Sequence, residues 1–108
     1  MKKRIGLGTW SWGNQVFWDY QISNDDDLRE TYKEALKRGF NLIDSADSYG
    51  TGKLNGRSEE LLGKFLLDTS SSQKKRIQIA TKLAPYPWRV GNKGLTKPFL
   101  KSLERLNN

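Results

Sequence analysis

Three short apolar runs, each too short to form a helix, alternate along this chain with three longer stretches of helical periodicity. The apolar runs are rich in β-branched residues and predict strands near residues 5–10, 40–44 and 77–81. The helical patterns lie near residues 25–38, 58–67 and 96–106. Strand and helix alternate with strand starts about 35 residues apart, which is typical of successive right-handed βαβ units in a parallel α/β sheet.

The pattern alone leaves two α/β folds open. A (β/α)₈ barrel of about 250 residues uses about 31 residues per unit, but an open doubly wound sheet also accommodates this spacing. The chain of 108 residues is one small domain, and its 35% of hydrophobic residues leave little material to cover both faces of a sheet. In either fold the strand carboxyl ends hold the functional site, and here those ends carry Thr9, Trp10, Asp44 and Lys82.

The first helical pattern starts with three aspartates in a row. Asn24 or Asp25 is expected to cap its first turn, while Asp26 and Asp27 favour the positive end of the helix dipole. Calcium loops alternate their acidic residues, so this run predicts no metal site. The apolar positions of the helix fall on one face, at Leu28, Tyr32, Ala35 and Leu36.

The second helical pattern is expected to begin at Ser58 as its cap, and residues 68–75, "DTSSSQKK", read as an exposed linker after it. The third pattern is expected to start at Thr96, with Pro98 in its first turn. Its buried side is expected to consist of Phe99, Leu100, Leu103 and Leu106.

Two residue types are missing altogether, and their absence excludes several chemistries. Without cysteine there is no disulfide and no thiolate metal site, and without histidine the commonest metal ligand and neutral-pH base are missing. Acid–base chemistry must therefore use Asp, Glu, Lys or Tyr. No apolar run resembles a signal peptide core or approaches the roughly 18 residues of a membrane span. We therefore expect a cytoplasmic protein without a membrane partner.

The formal net charge of +7 raises the question of a polyanionic partner. The two basic runs, residues 2–4 and 74–76, both precede predicted strands and are read as solvated charge. The aromatic residues of the first loop could stack on single-stranded bases or form the wall of a small-molecule pocket, and their position at a strand end favours the pocket. They are Trp10, Trp12, Phe17, Trp18 and Tyr20.

Three common motifs are incomplete. "GLGTWSWG" contains Gly6 and Gly8 but has Ser11 where a dinucleotide fingerprint needs its third glycine. The Gly52-Lys53 pair of "DSYGTGKLNG" has Asp47 in place of the first glycine of a phosphate loop. No Gly-x-Ser-x-Gly nucleophile elbow is present.

One group of ionisable residues remains at the strand ends. Asp44 ends one predicted strand, Lys82 ends the next, and Tyr49 follows Asp44 by five residues. Neighbouring parallel strands lie about 4.8 Å apart, so the carboxylate and the ammonium can meet above them. One interpretation is a salt bridge at the rim with Tyr49 only packing nearby. The other makes Tyr49 a general acid, because an adjacent cation favours the ionised phenol and Asp44 would orient that cation.

Four segments in order, "GLGTWSWG", "GFNLIDSADSYG", "GRSEELLGKFL" and "IQIATKLAPYPWRVG", resemble the aldo-keto reductase family over about residues 4–106. "KLAPYPWRVG" is similar to a branch of cyanobacteria and chloroplasts that includes pyridoxal reductase-like proteins. The resemblance implies the N-terminal three βα units of a (β/α)₈ barrel, an incomplete barrel. It also implies NADPH-dependent reduction of a small aldehyde or ketone.

The resemblance assigns three members of the family's catalytic tetrad to Asp44, Tyr49 and Lys82. It places Gly8, Thr9, Trp10 and Asp44 beside the cofactor, while Asp47 reads as loop and Glu59 and Glu60 as first-turn helix residues. The tetrad histidine and most of the cofactor site belong to later strands. We therefore expect a truncated chain that is inactive alone or needs a complementing chain. The alternative is a non-catalytic module that self-associates through open sheet edges, and a nucleic-acid binder ranks last.

Overall fold

The computed structural model describes residues 4–107, and its centre is a three-stranded parallel sheet. Lys2 and Lys3 of the first basic run lie outside the described residues. The strands are β1 (Leu7–Gly8), β2 (Leu42–Asp44) and β3 (Gln78–Ala80), in the order β1-β2-β3. Within residues 4–107 the sheet is open, with β1 and β3 as its edges. This parallel, incomplete sheet is the α/β arrangement that the strand and helix pattern predicts.

Strand register brings the three carboxyl ends level with one another. Gly8 of β1 lies opposite Asp44 of β2, which in turn lies opposite Ala80 of β3. Hydrogen bonds continue the ladder beyond the regular strands: the amide of Thr9 donates to Asp44 O at 3.0 Å, and the amide of Asp47 donates to Lys82 O at 3.0 Å. The strands are therefore shorter than the predicted runs, but the pairing that positions the loops extends past them.

The helices connect the strands in chain order. They are α1 (Gln15–Trp18), α2 (Asp25–Lys37), α3 (Arg57–Leu67), α4 (Ser71–Lys74) and α5 (Gly91–Arg105), with 3₁₀ turns at Ile22–Asn24 and Gly52–Leu54. The short α4 lies inside the segment predicted as a linker, and its residues are exposed. Among residues 4–107 no helix combines the length and the apolarity needed to cross a membrane.

The core lies between the central strand and helices α2 and α3. Ile43 of β2 is completely buried and packs in one cluster with Tyr32 of α2 and with Leu61, Leu62 and Phe65 of α3. Burying an aliphatic or aromatic side chain of this size contributes about 1.5–3 kcal/mol. The rings of Tyr32 and Phe65 are 5.5 Å apart, so the aromatic contact joins α2 to α3 directly.

Two predicted caps are wrong in detail. Asn24 occupies the N-cap position of α2, but its side chain accepts a hydrogen bond from the amide of Gln21 and none from the helix. Helix α3 begins at Arg57 after Gly56, whose φ of 87° is left-handed. Ser58 does not cap it, because its hydroxyl is buried and donates to Thr9.

Helix α5 starts at Gly91, five residues before the predicted start at Thr96. Gly94 makes the early start possible, since a Cβ there would lie 2.7 Å from the carbonyl carbon of Arg89. Pro98 consequently lies inside the helix and not in its first turn, where it removes one backbone hydrogen bond. The predicted buried side is also partly wrong, because Phe99 and Leu100 are 50% and 58% exposed.

Candidate active site

Asp44 and Lys82 meet above the ends of β2 and β3. Lys82 Nζ donates to both carboxylate oxygens of Asp44, at 2.9 and 3.0 Å, and to the backbone oxygen of Ser45 at 2.8 Å. About half of each side chain is exposed, 50% for Lys82 and 52% for Asp44. Three oxygens therefore fix the direction of the ammonium on a surface that is still open to other molecules.

The ammonium of Lys82 is held in its charged form. Desolvation lowers the pKa of Lys82, but hydrogen-bonding and charge interactions with Asp44 and Tyr49 outweigh it, so the net pKa lies above the usual value. Lys82 is consequently a permanent cation at neutral pH.

Tyr49 lies beside this cation on the loop between β2 and α3. Lys82 Nζ is 5.1 Å from the centroid of the Tyr49 ring. The loop is held at both sides of the residue: the amide of Tyr49 donates to Ala46 O at 3.2 Å, and the amide of Ser58 donates to Tyr49 O at 3.3 Å. Gly50 follows with a φ of 125°, and a Cβ there would lie 1.9 Å from Leu54 O. Only glycine permits this turn, which places the phenol near the ammonium.

The residues at the end of β1 differ in what they expose. Gly8 is exposed, and a Cβ built on it would meet nothing within 4 Å, so open space lies over this strand beside Asp44. Trp10 is 49% exposed, and its ring is 5.9 Å from that of Trp18 and 6.0 Å from that of Phe17. These aromatic rings form an apolar surface next to the open space. A flat, partly apolar ring such as a nicotinamide fits that combination of open backbone and aromatic wall.

Thr9 lies differently from its neighbours, because its side chain is completely buried. Its hydroxyl donates to Asp44 O at 3.0 Å and accepts from the Ser58 hydroxyl at 2.6 Å. The Ser58 hydroxyl also lies 3.0 Å from that of Ser45. This buried hydroxyl cluster of Thr9, Ser45 and Ser58 joins β1, the end of β2 and the start of α3. The cluster supports the backbone of Asp44 from the interior of the protein and does not line the open surface.

The sequence predicts an ordinary loop residue at Asp47, but in the structure Asp47 is only 3% exposed. Its Oδ1 accepts from the amide of Ala84 at 3.0 Å, and its Oδ2 lies 2.7 Å from Nη1 of Arg89. The same Arg89 nitrogen donates to Ala84 O at 2.8 Å. The carboxylate therefore ties the loop that carries Tyr49 to the loop that follows Lys82. Sequence reasoning missed this link because no local pattern relates residue 47 to residue 89.

Glu59 was interpreted as a first-turn residue of α3, and its carboxylate is completely buried. It accepts from the Thr81 hydroxyl at 2.6 Å and from Nε of Arg105 at 2.8 Å. Thr81 precedes Lys82, so this second buried carboxylate fixes the end of β3 against α3 and α5. Neither Asp47 nor Glu59 contacts the open surface, and both position the residues that do.

The geometry supports one kind of chemistry at the open surface. A cation next to a phenol stabilises the negative charge that remains when the phenol gives up its proton. A carboxylate that accepts hydrogen bonds from the cation with both oxygens keeps it in place. Such a group can protonate an oxygen on which negative charge develops during a reaction.

The profile of the Aldo/keto reductase family matches residues 4–108. The chain is 49% identical over 104 residues to the chloroplastic pyridoxal reductase of Arabidopsis thaliana, a match that covers 94% of this chain and 28% of that protein. It is 36% identical over 81 residues to an aldo-keto reductase of Bacillus subtilis, covering 75% of this chain and 22% of that protein. The chain thus spans about a quarter of the length of these relatives.

Solved structures match the fold over nearly the whole chain. An aldo-keto reductase of Klebsiella pneumoniae in complex with NADPH has a TM-score of 0.74 and 25% identity, covering 97% of this chain and 31% of that one. A thermostable aldo-keto reductase in complex with the inhibitor epalrestat has a TM-score of 0.75 and 29% identity, covering 99% and 35%. These matches confirm that the three βα units are part of a (β/α)₈ barrel, which the described residues do not close.

Proposed function

The chain belongs to the aldo/keto reductase family of oxidoreductases, and from that premise we propose that it contributes the general-acid side of an NADPH-dependent carbonyl reductase site. The substrate would be a small aldehyde or ketone. The observation that carries the proposal is the position of Lys82 Nζ, which lies 2.9 Å from Asp44 Oδ1 and 5.1 Å from the centroid of the Tyr49 ring.

Each of the three residues has a distinct role in this proposal. Tyr49 donates a proton to the carbonyl oxygen as the carbonyl carbon accepts a hydride. Lys82 stabilises the phenolate that remains after proton transfer, and Asp44 orients the Lys82 ammonium through both carboxylate oxygens.

The cofactor assignment rests on the space at the end of β1. NADPH, when bound, supplies the hydride. The open backbone of Gly8 and the exposed ring of Trp10 would hold its nicotinamide, with Asp44 at the neighbouring strand end. Thr9 would act indirectly, because its buried hydroxyl supports Asp44 through the backbone.

Further polypeptide is needed for a complete site. The 108 residues contain no histidine, so the fourth member of the family's tetrad has no counterpart among them. We propose that the isolated chain is inactive or needs a complementing chain that supplies later strands of the barrel. We propose no nucleic-acid or membrane partner. We also propose a cytoplasmic location for this chain, in contrast to the chloroplastic relative from Arabidopsis.

A chimera tests the proposal where the isolated chain cannot. Residues 4–106 would replace the matching segment of the Arabidopsis pyridoxal reductase, and NADPH oxidation would be followed with pyridoxal and with a reactive aldehyde. We expect the chimera to turn over and Tyr49→Phe to lower kcat at least about a hundredfold, the lower limit for loss of a general acid. Tyr86→Phe is the matched control, because the substitution keeps the ring that stacks on Trp88 and removes only the hydroxyl.

Two results would contradict the proposal. A Tyr49→Phe chimera that keeps the rate of the Tyr86→Phe control would remove Tyr49 from the mechanism. A fast rate from the isolated 108-residue chain, lost in Tyr49→Phe, would show that no complementing chain is required.

A further inference from the structure

Two surfaces of opposite charge lie on the helices that follow the two edge strands, α2 after β1 and α5 after β3. The acidic groove, about 630 Å³, lies between β1 and α2 and includes Leu7, Ala35 and Phe40 in its apolar floor. The charged residues along it are Asp27, Glu30, Glu34 and Arg38. The basic face, about 400 Å³, lies on α5 around the exposed Leu100, and the charged residues along it are Lys93, Lys97, Lys101 and Glu104.

The charges on the two surfaces follow the same order with opposite signs, from the N-terminus to the C-terminus of each helix. Along α2 the order is three acids and then one base, at i, i+3, i+7 and i+11. Along α5 it is three bases and then one acid, at i, i+4, i+8 and i+11. Placed side by side and parallel, the two helices bring every charge next to one of opposite sign. Antiparallel placement would instead bring Lys93 next to Arg38 and Glu104 next to Asp27.

We propose that the basic face of one copy of this chain docks into the acidic groove of a second copy, with β3 of the first beside β1 of the second in parallel. Parallel helices are what a continued βα sheet requires, since each helix follows its strand in the same direction. Unpaired sheet edges are ready templates for such pairing. The charge order selects this orientation among the arrangements that two open edges allow.

The amount of exposed surface agrees with two contacts per chain. The accessible area of the chain is 7701 Å². A folded monomer of 12.4 kDa is expected to expose about 6,100 Å², so the excess is about 1,600 Å². A standard protein–protein interface buries about 800 Å² on each partner, so the chain exposes enough surface for a contact at each edge. Part of it is apolar, since Phe99 and Leu100 of α5 are 50% and 58% exposed.

The lysines of the basic face are available for this contact. Within residues 4–107, none of the three forms an ion pair with a carboxylate. In the acidic groove, Glu30 pairs with Lys33 at 2.9 Å and Glu34 with Arg38 at 2.7 Å. These exposed pairs on one helix are weak and can rearrange when another helix approaches.

When two copies dock through two different surfaces, the pair still has one free acidic groove and one free basic face. Association of this kind continues into rings or open chains and does not stop at a symmetric dimer. Sedimentation velocity of the full chain, without cofactor, is therefore expected to show masses that grow beyond two copies with concentration and shrink with added NaCl. A chain that stays monomeric at all concentrations, or stops at two copies, would overturn the proposal.

Charge reversal tests the pairing itself. The first variant carries Lys93→Glu, Lys97→Glu and Lys101→Glu, and the second carries Asp27→Lys, Glu30→Lys and Glu34→Lys. In each variant alone, the surfaces on α2 and α5 carry charges of the same sign and repel each other. We therefore expect its association constant to fall at least about tenfold. Mixed together, the variants pair acidic α5 with basic α2 and basic α5 with acidic α2, so association is expected to return.

The mixing experiment also separates misfolding from lost contact, because unfolded variants would not restore association. The matched control for the first variant is a triple reversal at the exposed Lys53, Lys64 and Lys75, which changes net charge equally and is expected to associate like the wild type. Failure of the mixture to associate while both variants keep the far-UV circular dichroism of the wild type, or equal loss in the control, would refute the pairing. Since neither NADPH nor a carbonyl is present, the outcome is independent of the proposed reductase activity.

Discussion

Removing Arg89 should destabilise the protein far more than removing an exposed cation. The side chain of Asp47 is 2% exposed and that of Arg89 is 15% exposed. In Arg89→Met, Oδ1 of Asp47 keeps the amide of Ala84, but Oδ2 loses its partner. The result is a buried carboxylate without a counter-ion, in the link between the loops of Tyr49 and Lys82.

The geometry sets the expected magnitude. Breaking a buried ion pair by removing one partner costs about 3–5 kcal/mol. Arg89 Nη1 lies 2.7 Å from Oδ2, but its hydrogen bond goes to Ala84 O, so the contact with the carboxylate is mainly electrostatic. We therefore expect about 3 kcal/mol, the lower end of that range. Adding Asp47→Asn to Arg89→Met should restore about 1 kcal/mol, because the buried group is then neutral.

Lys33→Met is the matched control. Lys33 pairs with Glu30, but the two side chains are 56% and 70% exposed, so its loss should cost less than about 1 kcal/mol. Urea unfolding followed by far-UV circular dichroism gives each free energy of unfolding, and equal m-values show that the same transition is compared. The measurement belongs at a protein concentration low enough to keep the chain monomeric.

Two results would refute the reasoning about Asp47. If Arg89→Met costs no more than Lys33→Met, the Asp47 carboxylate is not buried with Arg89 as its essential counter-ion. If the double variant is less stable than Arg89→Met alone, the cost does not come from an unpaired charge.

Two further predictions concern packing and pH. Gly63→Ala should destabilise the protein by about 1–3 kcal/mol, because the added Cβ would lie 1.9 Å from Arg105 O. Gly8→Ala should leave the stability unchanged, because nothing lies within 4 Å of a Cβ at that position. Equal urea midpoints for the two variants would contradict this prediction. Burial raises the pKa of both Tyr20 and Tyr32 above 10.0, so their stabilising contribution is complete below pH 10.0 and lost as pH rises through the folded-state pKa values. The free energy of unfolding should therefore fall as the pH rises above 10, and it should fall less steeply in a variant with both tyrosines changed to Phe. If the free energy falls equally steeply in the wild type and in the variant, the two tyrosines are not the cause.

Sequence reasoning reached the part of the site that depends on neighbouring strands. Asp44 and Lys82 end successive apolar runs, and successive parallel strands usually lie side by side. Their meeting therefore follows from strand order alone, and the structure shows it at 2.9 Å. The predicted aromatic wall is partly wrong: Trp10, Phe17 and Trp18 are exposed, but Trp12 and Tyr20 are buried in the core.

The supporting contacts were not accessible to sequence reasoning. Ser58 looks like a helix cap, but its hydroxyl donates to Thr9, 49 residues earlier. Glu59 looks like a first-turn acid, but its carboxylate meets Arg105, 46 residues later. Local propensity describes a residue within its own element, and these pairs form only when separate elements pack together. The early start of α5 is missed for the same reason, because it depends on contact between Gly94 and Arg89.

The supporting contacts also bear on how a complementing chain would act. Among residues 4–107, the Asp44 carboxylate, the Ser45 carbonyl and the Asp47 amide all contact Lys82. We therefore expect Lys82 to keep its orientation toward Asp44 when other strands are added. On the proposed function, added strands would have to supply a histidine and the rest of the cofactor site, but they would not have to assemble the general acid. Because such strands would occupy the same sheet edges as a second copy of this chain, complementation and self-association should compete.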